Sequence, residues 1–378
     1  IAPRTPWRAA RRETLARHAA GRMVLPALRS ALRLASGPLQ RRLAAMELIP
    51  PLEFPCRIEP LPEGCSTIDN SLYNDTQYAS SWHSTDRSKE LATLDLLNAA
   101  RIPYFDRVWR RQLNLPPTRP GAFLEVGCGG GIATAALARL GYHVTGVDPA
   151  APSLEEARAH ARRLSLQERL VFLEGSAYDL SMFPPGSFDG VVMADVLEHL
   201  LDLPRALQQV RRVLRPGGVL VFDTINRSYK SYLLTIVLAQ EAMGMVPPHT
   251  HDWRLYIKPH ELGFLLQAHG FLCDTGHFRG LMPTLDPRQL LRAPPIPHPA
   301  AGWSARLPSP PLSDFVETSS LEVNYMGWAV KSELAGSGGA ATEVSDPDAT
   351  TRGGEESAPK EHAPGALAKG LRDFERVS

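Results

Sequence analysis

At 378 residues the chain has room for two or three average domains or for one α/β domain of about 200–250 residues with appendages; its 34 prolines and 29 glycines imply long irregular stretches around a localised core. Hydrophobic content of 43% and charged content of 21% are ordinary for a soluble protein with a real core, and no run of 18 apolar residues argues for a spanning helix. The net charge of +1 is uneven, with ten Arg, no Lys and one acid (Glu13) in residues 1–45, so the rest carries −8 and a broad nucleic-acid surface is excluded.

The first segment, 1–46, is Arg-rich and acid-poor with interleaved Ala and Leu, the composition of an organelle transit peptide. An equal reading is a translated leader ahead of Met46, and in either case the segment is expected to be disordered. Residues 47–66 read as a Pro-rich linker. From Thr67 to Leu115 the pattern turns helical, with Leu91, Leu94, Leu97, Ile102 and Phe105 spaced for buried faces. Across 121–331 short apolar runs alternate with helical stretches, the βαβ pattern of a mostly parallel sheet. The tail, 332–378, has few large apolar residues and is expected to be disordered. Four cysteines, Cys56, Cys65, Cys128 and Cys273, fit no metal-knuckle spacing and point to a reducing compartment.

Phe123 to Val126 form a short apolar strand that runs into Gly127-Cys128-Gly129-Gly130-Gly131 and a small-residue helix start at Ile132. Glycines at 127, 129 and 131 allow close backbone approach to a ligand. A dinucleotide fingerprint would want Gly where Ile132 stands, whereas an acid, Glu125, followed by G-x-G-x-G is the methyltransferase form. Glu125 is placed to reach a methionyl amino group through the loop. Asp148 ends the next strand, 17 residues past Gly131, where an acid would bind ribose hydroxyls; the alternative is a helix cap shared with Ser153. Ser176 follows the third strand, where an adenine edge would be read, and Ala194 closes the fourth.

Asp195-Val196-Leu197-Glu198-His199 comes next. Two carboxylates and an imidazole converging at the strand ends would be a hard-cation ligand set; the bland alternative has Glu198 capping and His199 lining a pocket without metal. Residues 231–245 form an apolar stretch too short and too polar to span a bilayer, either a pocket cover or a membrane-surface contact. The predicted fold is a Rossmann-like seven-stranded α/β domain, six parallel strands and an antiparallel last one (322–331), with a helical N-terminal lid.

From about Asn98 to Lys331 the chain resembles the ubiquinone-biosynthesis O-methyltransferases, class I S-adenosylmethionine (SAM)-dependent enzymes that methylate polyprenyl catechols. The resemblance is carried by Asn98 and Arg101, Glu125 to Gly131, Asp195 with Glu198-His199, Thr224 to Arg227, Thr250-His251-Asp252-Trp253, Ile257-Lys258-Pro259 and Val323 to Met326. It implies SAM as cofactor, with Arg101 on its carboxylate and Gly127, Gly129, Gly131 and Asp148 holding it. Ala194 would add a backbone contact where the family often has Met. A divalent cation such as Mg²⁺ would sit on Asp195, Glu198 and His199, with Asp195 one methylene shorter than the usual Glu. Without metal, His251 or His199 would serve as general base. The implied acceptor is a lipidic phenol, and the implied location is cytoplasm or mitochondrial matrix, with peripheral contact at the inner membrane through 231–245. A Pro-rich insertion, 283–312, has no counterpart in that pattern and leaves room for another phenol, a natural product or an N or C nucleophile. A non-catalytic SAM-binding subunit is the other alternative, and the intact Gly127, Gly129 and Asp148 speak against it. Oligomeric state is not legible.

Overall fold

Strands form where Val, Leu, Ile and Phe cluster between turn residues, and here five such runs follow one another: β1 (Ala122–Val126), β2 (His143–Asp148), β3 (Leu170–Glu174), β4 (Phe188–Ala194) and β5 (Leu214–Ile225). All neighbouring pairs among them are parallel. The computed structural model describes residues 57–333, apart from 63, 85–90, 92–93, 114–120, 244 and 286–311. The expected leader, nearly all of the expected tail and most of the 283–312 insertion therefore lie outside the described residues.

Four helices pack on this sheet: α1 (Leu94–Gln112), α2 (Ile132–Arg139), α3 (Ala151–Arg163) and α4 (Leu203–Val213), and a fifth, α5 (Pro259–Ala268), follows β5. In α4 the spacing of Leu203, Ala206, Leu207, Val210 and Val213 places all five on one buried stripe. Asp202 caps its start by accepting from the Arg205 N–H. That stripe joins Leu124, Val191, Met193, Leu220 and Phe222 in the main core, each fully buried. Burying a Leu of this kind contributes about 1.5–3 kcal/mol.

β9 (Asn324–Lys331) runs antiparallel to β5, from Val219 opposite Val330 to Ile225 opposite Asn324. β7 (Arg279–Leu285) runs antiparallel to β9 and so points the same way as the first five. The expected six-plus-one arrangement is present, and among the described residues two further strands extend it. A two-residue strand, β6 (Phe271–Leu272), pairs with β9, and β8 (Leu312–Thr318) adds an edge beyond β7, giving the order β3-β2-β1-β4-β5-β9-β7-β8 with β6 beside it. Both escape a reading by periodicity, β6 because it is too short and β8 because it emerges from a Pro-rich run.

The expected linker is described from residue 57 on, apart from 63. Arg57 and Leu61 are buried, the Arg57 guanidinium donates to the Leu200 carbonyl, and the Leu61 N–H donates to Leu201 O at 3.1 Å. The described part of 47–66 is docked on the domain. It carries no hydrophobic period because it lies as an irregular strap held by backbone contacts.

Strand order reverses between β1 and β4, so the carboxyl ends of β1, β2, β4 and β5 splay around a crevice. The N-terminal strap continues through the short turns Asn70–Asn74 and Thr76–Ala79 to Trp82, and this part of it borders the crevice together with α1 as the expected helical lid.

Candidate functional site

β1 delivers the chain into the glycine turn, where the Gly127 and Cys128 N–H groups both donate to Val147 O, at 2.7 and 3.1 Å. Gly127 and Gly129 stand at φ +77° and +48°, and a Cβ on Gly127 would meet Val196 Cγ2 at 2.5 Å. Only glycine makes this turn without strain. Gly131, at φ +76°, then starts α2.

Asp148, at the end of β2, clamps the loop. Its Oδ2 accepts from the Gly129 N–H at 2.8 Å and its Oδ1 from the Ala150 N–H at 2.9 Å, while the carboxylate borders the crevice. Burial raises its pKa and the two amide donors counter that rise. The expected ribose ligand and the alternative, a helix-start acceptor, are thus one residue. Glu125 accepts from Thr134 Oγ1 inside the first turn of α2. Burial pushes its carboxyl up to about 7, against the pull of the Thr134 hydrogen bond and of Arg101. Ser176 and Ala194 border the same cavity, Ser176 with its Oγ accepting from the Tyr178 N–H at 3.2 Å.

β4 ends at Asp195, a non-glycine residue at φ +53°. That conformation is costly for an Asp and belongs to sites where geometry is imposed from outside. Here the imposing contact is Arg101 on α1, 3% exposed, whose Nη1 lies 2.5 Å from Asp195 Oδ2 and 3.5 Å from Asp223 Oδ2. The sequence expectation put Arg101 on a cofactor carboxylate. The structure sets it between two protein carboxylates at the cavity wall, because a guanidinium this deep needs resident counter-charge.

A single 3₁₀ turn, Leu197–His199, follows. Glu198 Oε2 accepts from Thr224 Oγ1 at 2.8 Å, while its Oε1 is buried without a hydrogen-bond partner. His199 Nδ1 and His251 Nδ1 are likewise buried and unpartnered, with ring centroids 5.4 Å apart. Burial raises the Glu198 carboxyl, and the neighbouring Asp195 charge raises it further. Burial drives His199 down to about 3, assisted by His251, and His251 down to about 4. Both imidazoles are therefore neutral at pH 7, while the nearby Asp195 charge acts to raise their basicity.

Asp195, Glu198 and His199 share one wall without converging on a point. Among the described residues no group of three His, Cys, Asp or Glu side chains stands as a metal cage. Asp195 is occupied by Arg101, whereas Glu198 Oε1 and His199 Nδ1 are the kind of unsatisfied buried atoms that a hard cation would satisfy.

These two halves border one cavity of about 410 Å³. Four carboxylates line it, from Glu125, Asp148, Asp195 and Glu198, against one basic side chain, Arg101.

The remaining walls come from residues with no assigned role in the sequence reading. Tyr73 and Trp82 belong to an aromatic run visible in the sequence, but only the fold lays them against the glycine loop. Phe315 enters from β8, whose pattern is hidden by prolines. Thr235 and Ala239 reach in from the π-helical segment Tyr232–Met243, within the predicted cover at 231–245. In that segment Val237 is buried and Leu234 exposed, so one side closes the cavity and another faces out. Among the described residues no helix is long and apolar enough to cross a membrane.

Residues 124–222 match the family described as Methyltransferase domain. The chain is 32% identical over 201 residues to the ubiquinone biosynthesis O-methyltransferase of Colwellia psychrerythraea, across 52% of this chain and 80% of that one. With the enzyme of the same description from Paracidovorax citrulli it shares 38% identity over 177 residues, 47% of this chain and 71% of the relative. Against the mitochondrial enzyme of Rattus norvegicus the identity is 34% over 215 residues, 55% of this chain but only 62% of the rat protein's length.

Proposed function

Because this chain belongs to the ubiquinone biosynthesis O-methyltransferase family, whose members are SAM-dependent, we propose that it moves the SAM methyl group to a phenolic hydroxyl of a polyprenylated catechol or quinol. The observation that carries this reading is the single cavity bounded on one side by the glycine loop with Asp148 and on the other by Asp195, Glu198, His199 and His251. A methyl donor and an acceptor oxygen held on those two walls face each other, as in-line transfer requires.

Gly127, Gly129 and Gly131 bring backbone close to the donor, Asp148 holds its ribose, and Glu125 sets the loop beneath its amino group. Ser176 and Ala194 border the adenine and the reacting end, and Arg101 balances the carboxylates around them. Since a sulfonium is already a good leaving group, alignment and removal of the phenolic proton make up the remaining work. His251 or His199, neutral at pH 7, accepts that proton. Glu198 and His199, whose Oε1 and Nδ1 are buried and unpartnered, would with Asp195 beside them hold a Mg²⁺-like cation. Such a cation would supply the Lewis acidity that lowers a phenol pKa. The outer side of 231–245, with Leu234, suits contact with a bilayer that carries the lipidic acceptor, at a matrix or cytoplasmic membrane face.

Incubation with methyl-labelled SAM and a panel of short-chain catechols tests the reading. Label should pass to a catechol oxygen and not to monophenols lacking the second hydroxyl. Transfer to amines or carbon acids in preference to catechols would overturn it.

A further inference from the structure

Trp82 lies directly on the glycine loop. A Cβ added at Gly130 would stand 2.3 Å from Trp82 Cγ, and one added at Gly129 2.5 Å from its Cη2. The indole is pinned there by its Nε1–H, which donates to Ser153 Oγ at 3.0 Å, and Ser153 Oγ in turn reaches the Tyr73 carbonyl at 3.2 Å. Tyr73 stacks on Trp82 with ring centroids 6.1 Å apart and planes 23° apart, and meets His199 edge-on at 6.4 Å. Tyr73 therefore touches both halves of the site: the aromatic that covers the donor loop and the imidazole on the acceptor wall.

The sulfonium of a bound donor has to lie at that junction, because its methyl must point from the loop toward the acceptor. An aromatic face attracts a desolvated cation more strongly than it attracts a neutral thioether. We propose that Tyr73, braced by Trp82, forms the wall against the SAM sulfonium and makes the site prefer the charged donor over the neutral product S-adenosylhomocysteine. This rests on SAM as the cofactor. It adds a specificity residue that speeds product release without loosening the donor.

Calorimetry on the full chain with SAM and with S-adenosylhomocysteine tests it. Tyr73→Leu keeps bulk and loses the π face, so the SAM dissociation constant should rise about tenfold while that of S-adenosylhomocysteine stays within about twofold. Tyr73→Phe should hold both within about twofold. Phenylalanines with one, two and three ring fluorines at position 73 keep the shape and drain the face of charge. SAM affinity should fall stepwise along that series, with product affinity flat. Equal weakening of SAM and product in Tyr73→Leu, or SAM affinity flat along the fluorinated series, would overturn the proposal and leave Tyr73 as an apolar lid. Wild-type protein that binds neither ligand would refute the cofactor reading and this proposal with it.

Discussion

Replacing Gly130 by Ala probes the contact between the N-terminal strap and the donor loop. Gly130 is not at positive φ, so the backbone tolerates a side chain there, and the whole cost comes from Trp82. The added methyl would meet Trp82 Cγ, Cβ and Cδ2 at 2.3, 2.6 and 2.6 Å. These atoms are at the root of the side chain, so a rotamer change cannot clear them. Two responses remain. The loop and strap can shift by a few tenths of an ångström, an overpacking cost of about 1–3 kcal/mol. Alternatively the strap can lift, forfeiting Trp82 burial, about 2–3 kcal/mol, its bond to Ser153 and the 2.8 Å contact between His83 Nε2 and Gly130 O, about 1 kcal/mol each. Shifting is the smaller cost. Urea denaturation should therefore show a loss of about 1–3 kcal/mol, and calorimetry a SAM affinity lower by about tenfold. In a Trp82→Gly background, which removes the Cβ as well as the indole, Gly130→Ala should cost less than about 0.5 kcal/mol more. Wild-type stability and SAM affinity in Gly130→Ala, or full additivity with Trp82→Gly, would refute the contact.

Asp148→Asn can accept from only one of its two amide donors and loses its charge, so SAM affinity should weaken by about 1.5–3 kcal/mol; unchanged affinity by calorimetry would refute the donor assignment. The ligand-free protein should lose stability as pH rises from about 5 to about 7, because Glu125, held up to about 7, keeps a proton that the unfolded chain has already released. That contribution is on the order of 3 kcal/mol, and saturating SAM should flatten the slope; melting midpoints taken across that range with and without SAM check it. Val237→Asp, at a position 3% exposed, should unfold the cover, whereas Leu234→Asp, at a position 40% exposed, should melt like wild type and release the protein from anionic liposomes. Equal effects on melting in the two variants would remove the distinction between inner and outer sides.

The succession of parallel strands along the chain and the glycine turn after the first were legible in the sequence, since both depend on residues close along the chain. Strand runs at 122–126, 143–148, 170–174 and 188–194 announce themselves by local apolarity, and the glycines at 127, 129 and 131 by the turn that follows a strand. Asp148 is readable because a βαβ unit has nearly constant length, so spacing along the chain stands in for distance in space.

What only the tertiary structure decided depends on contacts far apart in sequence. Arg101 and Asp195 are 94 residues apart and Arg57 and Leu200 are 143 apart, and neither pair leaves a local pattern. The pairing of Arg101 with Asp195 and Asp223 is imposed by burial: a guanidinium shut away from water must find carboxylates, and the fold decides which ones stand within reach. In the same way Trp82 reads in sequence as one member of an aromatic run, and becomes the cover of the donor loop only because Gly129 and Gly130, far along the chain, leave it the room. Local pattern reports the conformational preference of a few neighbouring residues, while the acceptor wall, the strap and the aromatic lid are held by burial and ion pairing between segments whose separation no period records.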